Sequence, residues 1–169
     1  MESISGKCYV FDDEKTLFAY LKNILVEKNI DFLFCKEKNI IEKLDKYHIP
    51  HSTTEKIESM QAAVTNCECL IARTGSVVIT SASESGRQLA SYTPIHIMLA
   101  DTSQLVDYPT DAYEKIVAKY AGNFPSQVTT ITGPSRTADI EKTLVLGAHG
   151  PKEFIVLLCK EKTFNNFVI

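Results

Sequence analysis

Three short stretches concentrate the residue types that can hold an anion or move a proton. Ser135-Arg136-Thr137 follows a Gly133-Pro134 turn, and two hydroxyls, a guanidinium and the backbone N–H groups of a helix start would together suit a carboxylate or phosphate. The competing reading is structural: Ser135 and Thr137 cap a helix, and Arg136 pairs with Asp139 or Glu141. Thr74-Gly75-Ser76 could set a hydroxyl and exposed N–H groups beside that site, as glycine-rich turns do around phosphates, or be a plain hairpin turn. His149, between Ala148 and Gly150, is the candidate catalytic residue, an imidazole able to act as acid or base, or else a hydrogen-bonding or solvent-exposed loop residue. Of the other histidines, His96 reads as a satisfied core group, and His48 and His51 flank Pro50 in a solvated loop. Glu68, with Arg73 or Arg87, is either a site acid or a surface charge, and the surface is the expectation.

The elements that must position these groups follow from periodicity. Leu17, Leu21 and Ile24 repeat at helical spacing from Asp12 or Asp13 to about Lys28, and Ile30–Cys35 reads as a strand after a turn at Asn29. Ile40, Leu44 and Tyr47 mark a second helix that stops before His48-Ile49-Pro50. Ser52 to Glu55 has capping-box spacing, so Ile57, Met60 and Val64 predict a third helix ending near Asn66. The period then changes: Glu68 to Thr80 predicts a hairpin about Thr74-Gly75. Arg87–Tyr92 is a short helix, Ile95–Leu99 a strand, and Asp101–Ser103 a loop. Thr110 or Asp111 caps a helix carrying Tyr113, Ile116, Val117 and Tyr120, ending at Gly122. Val128–Thr132 is a strand, a helix starts at Ser135 or Thr137, and Phe154–Leu158 is a further strand. Phe164–Ile169 is a short edge strand. The glycine turns on either side of the 135–144 stretch suggest a plan for binding something small at the carboxyl end of a sheet.

This alternation predicts an α/β layer structure: a mainly parallel sheet flanked by helices, with a β-hairpin. A chain of 169 residues is most simply one domain spanning 1–169, able to bury about 70% of its unfolded surface without metal or disulfide. A net charge of -3 with 18 basic residues spread along the chain disfavours nucleic acid. No run reaches the roughly 18 apolar residues that span a bilayer, and the amino-terminal stretch does not read as a signal peptide, so the expected location is cytoplasmic. Five cysteines without CxxC argue for reduced, mostly buried thiols; Cys67 and Cys69 would share one face of a strand. No metal site is expected, and an iron–sulfur cluster would need more clustered thiolates. A nicotinamide dehydrogenase is disfavoured because no strand is followed by GxGxxG.

The phrases GPSRTADIEKTLVLGAHGP (Gly133 to Pro151), TPIHIML (Thr93 to Leu99) and ARTGSVVI (Ala72 to Ile79) resemble the LUD-domain family, of the lactate-utilisation C (LutC) type. The resemblance covers roughly the carboxyl-terminal 100 residues. It implies a fold like the NagB, ribose-phosphate isomerase and CoA-transferase group. It implies an accessory role in oxidising L-lactate to pyruvate beside iron–sulfur, heterodisulfide-reductase-like subunits, with the clusters in those partners and no cofactor in this chain. The ligand would be a small anion, a 2-hydroxy or 2-oxo acid or phosphate, held by Thr74, Gly75, Ser76, Gly133, Ser135, Arg136, Thr137 and His149. Two departures stand out. Where the family commonly reads AETGT this chain has Ala72-Arg73-Thr74-Gly75-Ser76, and a permanently protonated arginine cannot replace an acid in proton transfer. The chain is also shorter at its amino terminus than many relatives, which would remove a partner-binding segment. The alternatives are a stand-alone sugar-phosphate or acyl-transfer enzyme, implied by fold analogy, and a non-catalytic interaction module.

Overall fold

The computed structural model describes residues 6–54, 56, 59–85, 87, 89–137, 145–147 and 150–164. In chain order the strands are β1 (Lys7–Phe11), β2 (Leu33–Phe34), β3 (His51–Ser52), β4 (Ala62–Asn66), β5 (Cys69–Ile71), β6 (Ser76–Thr80), β7 (Ile95–Asp101), β8 (Leu105–Val106), β9 (Val128–Ile131), β10 (Arg136–Thr137), β11 (Val145–Leu146) and β12 (Glu153–Cys159). The helices are α1 (Glu14–Glu27), α2 (Lys38–Lys46), α3 (Leu89–Tyr92) and α4 (Pro109–Lys119).

Two nearly unbroken apolar runs, β7 and β12, lie side by side at the centre of a parallel sheet ordered β1-β12-β7-β4-β2-β3. Such runs are what a strand covered on both faces requires. Ile97, Leu99, Ile155 and Leu157 point to one face, where they pack with Leu17, Leu21, Ile40 and Leu44 of α1 and α2. The alternate residues Met98, Ala100, Val156 and Leu158 point to the other face and meet Leu70 and Val77. Those two belong to a second sheet, β8-β5-β6-β9, whose outer residues Cys69, Ile71 and Val78 are covered by Ala112 and Ile116 of α4. The layers are therefore helix, parallel sheet, mixed sheet, helix. The mainly parallel, helix-flanked sheet with a β5–β6 hairpin is the predicted fold class.

Local chemistry explains where the helices start. The Asp13 carboxylate accepts from the Thr16 N–H at 2.7 Å and caps α1. Helix α4 begins at Pro109, just ahead of the predicted caps, because proline suits the first helical position; Asp111 reaches back to accept from the Tyr108 N–H at 2.9 Å. Helix α2 ends at Lys46 as the Ile49-Pro50 step demands.

Several expectations are corrected. Ala62–Asn66 is not the end of a third helix but β4, hydrogen-bonded between β7 and β2; Ala62, Ala63 and Val64 are buried, and the partner strands override the helical spacing. Ser52 belongs to β3, and Glu55, Ile57 and Glu58 lie outside the described residues. No helix starts at Ser135, because Arg136–Thr137 pairs antiparallel with Val145–Leu146; 138–144, with Asp139 and Glu141, lie outside the described residues. The Ile30–Cys35 strand shrinks to Leu33–Phe34. His51 is half-buried in β3, with Nδ1 at 3.1 Å from the Ile49 carbonyl, not in a solvated loop. Asp101–Ser103 is a strand end and a 3-10 turn capped by Asp101. Strand β1 was not predicted; it is an edge strand paired only with β12 among the described residues, and Lys7 and Val10 are exposed. The expected last strand lies beyond Phe164, outside the described residues.

Candidate functional site

In a parallel α/β sheet the loops at the carboxyl ends of the strands converge, and ligands bind there. That edge holds a cavity of about 400 Å³ lined by Glu37, Asn39, Glu68, Thr80, Lys119 and Phe164 among others. Each wall is delivered by a strand or helix end. Glu37 precedes α2 without capping it through its side chain, Asn66 closes β4, Thr80 closes β6, and Lys119 and Tyr120 end α4. Asn66 and Gln104 brace the floor: Gln104 Nε2 donates to Asn66 Oδ1 at 2.9 Å and to the Cys67 carbonyl, while Asn66 Nδ2 donates to the Phe164 carbonyl at 2.6 Å.

Two buried carboxylates dominate the electrostatics. Glu68, expected on the surface, is buried. It accepts from Tyr120 OH at 2.5 Å, Thr80 Oγ1 at 3.0 Å and Lys119 Nζ at 2.7 Å. Burial works against the Lys119 charge, but the Glu68 carboxylate outweighs it and holds the ammonium above its usual range. Glu37 accepts from the Asn66 N–H at 3.0 Å and from Ser85 Oγ. Burial pushes its carboxyl up, the two hydrogen bonds oppose that, and Glu84 and Glu68 add like-charge repulsion. Glu37 is thus a group on this edge suited to exchanging a proton, while Glu68 is held by three donors. The Cys67 thiol is pushed well above its ordinary value, first by its burial and then by Cys69 and Glu68, so it is not a thiolate nucleophile. Cys67 packs toward the core between the two sheets and Cys69 toward α4, so the two do not share a face.

The described residues of the two stretches 74–76 and 133–137 lie at the opposite edge. Pro94 lies one residue before β7 and Pro151 two residues before β12, and the Ser135 N–H donates to the Pro151 carbonyl at 2.8 Å. The 133–137 stretch therefore sits at the amino ends of the central strands, not the carboxyl ends as predicted. The hairpin contributes there too: Ser76 Oγ and Thr132 Oγ1 are 2.8 Å apart. Gly75 and Gly133 take positive φ, 62° and 97°, which a side chain would strain. Gly150 packs so close to Ser135 that an added Cβ would stand 3.0 Å from the serine Cβ. Thr74 and Arg136 are exposed, Ser135 is half-buried, and Ser76 is buried with its hydroxyl engaged by Thr132. Thr137 lies in β10, and His149 lies outside the described residues. Because the Ser135 N–H is taken by the Pro151 carbonyl and Arg136–Thr137 pairs as a strand, a helix-start cradle of free N–H groups is not formed at Ser135.

Sequence reasoning missed Glu37, and it weighed Glu68 as a site acid but expected it at the surface. The signals were present: an acid at a strand-to-helix junction, and an acid flanked by Cys67 and Cys69 inside an apolar run.

The LUD domain matches residues 1–159. The chain belongs to the LUD domain family. An uncharacterised protein of Neisseria meningitidis serogroup B is 39% identical over 106 residues, 62% of this chain and 44% of that protein. Lactate utilization protein C of Bacillus subtilis is 33% identical over 110 residues, 64% of this chain and 46% of that protein. This LUD chain spans less than half the length of these curated relatives. A DUF162 family protein from Deinococcus radiodurans shares the fold, with a TM-score of 0.66 at 15% identity, covering 94% of this chain and 90% of that one. Among the described residues, no helix is long and apolar enough to cross a membrane.

Proposed function

We propose that this LUD chain is an accessory subunit in L-lactate utilisation, working beside iron–sulfur, heterodisulfide-reductase-like partners that carry the electrons from lactate to pyruvate. The observation that carries the reading is the similarity to proteins named lactate utilization protein C, 33% and 32% identical over 110 residues in two Bacillus species. The structure supports a binding role more than a covalent one, since burial pushes up the thiols of Cys35, Cys67, Cys69 and Cys159. The small anion, a 2-hydroxy or 2-oxo acid, is assigned to the amino edge, where Ser135 and the exposed Arg136 follow Thr132, whose hydroxyl meets that of Ser76 in the hairpin. Thr137 and His149 belong to the same assignment. The reducing cytoplasm, which keeps thiols free, is the compartment in which we place it.

Calorimetric titration of L-lactate, pyruvate and phosphate against the parent protein and Arg136→Ala tests the anion site. Loss of a charge-assisted contact predicts affinity weaker by about tenfold or more in the variant. Identical isotherms remove Arg136 from the assignment. The accessory role is tested separately: co-purification with an iron–sulfur protein supports it, and turnover of lactate or of a sugar phosphate by the purified chain alone overturns it.

A further inference from the structure

The carboxyl-edge cavity has a chemical polarity of its own. An ionised carboxylate can accept about four hydrogen bonds. Glu37 accepts two, from Ser85 and Asn66, and Glu68 accepts three, from Thr80, Tyr120 and Lys119. Both line the cavity and both are buried, so acceptor capacity is left over facing a cleft that is partly open to solvent. A ligand there must bring donors. The charged side chains on the wall are Glu37, Glu68 and Glu84 against Lys38 and Lys119. Lys119 is held by Glu68 at 2.7 Å, whereas Lys38 stands 3.9 Å from Glu84 with its side chain 85% exposed. Among the described residues neither ammonium is ion-paired with Glu37. Among those residues the wall thus offers no cation beside this buried carboxylate, the situation in which a cation gains most and an anion is repelled.

The geometry points to this cavity as a binding site for a small hydroxylated primary amine, with its ammonium on Glu37 and its hydroxyls toward Glu68, Asn39 and Ser83. The size agrees, since a cavity of about 400 Å³ falls in the range of small-molecule sites. Ile79 and Phe164 supply an apolar side against which the carbon skeleton rests. The resistance of Glu37 to ionisation, caused first by burial and increased by Glu84 and Glu68, is what a bound ammonium would relieve. This site is separate from the amino-edge anion site and does not depend on the lactate reading.

Three probes of equal carbon number separate the possibilities in NMR titrations of the intact chain: 2-amino-1,3-propanediol, glycerol and L-lactate. The amine is expected to shift resonances around Asn39, Glu68 and Ser83 saturably, and to bind about tenfold or more tighter than glycerol, the worth of one charge-assisted contact; lactate is expected to leave those resonances unmoved. Glu37→Gln is expected to bring the amine down to the glycerol level. Its amide oxygen still accepts from Asn66 or Ser85, and the variant sheds a buried charge, so its thermal unfolding is expected to match the parent's or improve on it. Lys38→Glu, at an exposed side chain, changes the local charge without touching the core and is expected to tighten the amine by roughly two- to fivefold. Equal affinity for amine and glycerol, preference for lactate at these resonances, or unchanged amine binding in Glu37→Gln overturns the proposal. Should Glu37→Gln fail to fold, unchanged amine binding in Lys38→Glu overturns it instead.

Discussion

Asp101→Ala is expected to lower the stability of the fold by about 3–5 kcal/mol, the scale for stripping several hydrogen bonds from one buried charged group. Asp101 is fully buried at the end of β7. One carboxylate oxygen accepts from the Ser103 N–H at 2.9 Å and from Ser103 Oγ; the other accepts from the N–H groups of Thr163 and Phe164 at 2.8 and 2.7 Å. The side chain thus ties the 3-10 turn to the segment after β12, and that segment carries Phe164, fully buried against Phe18 and on the cavity wall. Alanine leaves the Phe164 N–H without its acceptor inside the protein. At roughly 2–4 °C per kcal/mol for a chain of this size, Tm should drop by about 10 °C, and Asp101→Asn, which keeps one acceptor oxygen, should fall between. A melting curve for Asp101→Ala within about 1 °C of the parent would rule this account out. The same bonds set a pH dependence. Burial works against the charge, but the Ser103, Phe164 and Thr163 bonds outweigh it and hold the carboxyl below its ordinary value. The stabilisation is therefore present above the unfolded value near 3.8 and is lost as pH falls through the folded one.

A second loss on acidification comes earlier, from His96. This residue is fully buried on the face of β7 toward the second sheet. Its Nε2 lies 2.8 Å from Thr65 Oγ1, and its Nδ1 has no hydrogen-bond partner among the described residues. The expected core histidine is there, with one nitrogen satisfied. Burial alone lowers its pKa from 6.5 to about 4. Since the folded value lies below the unfolded one, stability is intact above pH 6.5 and declines as pH falls toward 4, where the unfolded chain binds a proton that the folded chain refuses. By pH 4.5 the deficit should reach about 2–3 kcal/mol. Urea unfolding at pH 7.5 and 4.5 should show that loss in the parent and not in His96→Gln, whose amide can still meet Thr65. Equal losses in both proteins would assign the acid sensitivity elsewhere.

What could be read from sequence depended on whether a segment's partners were implied by its own pattern. Leu17, Leu21 and Ile24 specify α1 because a helix's buried stripe recurs within one segment. The runs that became β7 and β12 were legible because a strand covered on both faces is apolar at nearly every position. Ala62-Ala63-Val64 was not legible: three small or apolar residues in a row fit either period, and the strand exists because β2 and β7 leave a gap of that shape. The turn around Thr74-Gly75 was foreseen from its residues, and Arg136–Thr137 as a strand was not, because its partner Val145–Leu146 lies across a connection the local pattern does not reveal. The candidate site divides the same way. The phrase running from Gly133 to Pro151 identified the family, whereas the cavity is assembled from Glu37, Asn66, Glu68, Gln104, Lys119 and Phe164, spread along the chain so that no window contains it.

The placement of that phrase at the amino ends of β7 and β12, with the cavity at the carboxyl ends, means that the two can drift apart over evolutionary time. Ser135 is held by a hydrogen bond to Pro151 and by close packing against Gly150 and tolerates little change, while Asn39, Ser83 and Lys38 line the cavity across the sheet and lie outside the buried core. Members that carry the same fingerprint can therefore have diverged in what they bind, and kinship recognised by that fingerprint groups them by architecture before it groups them by chemistry.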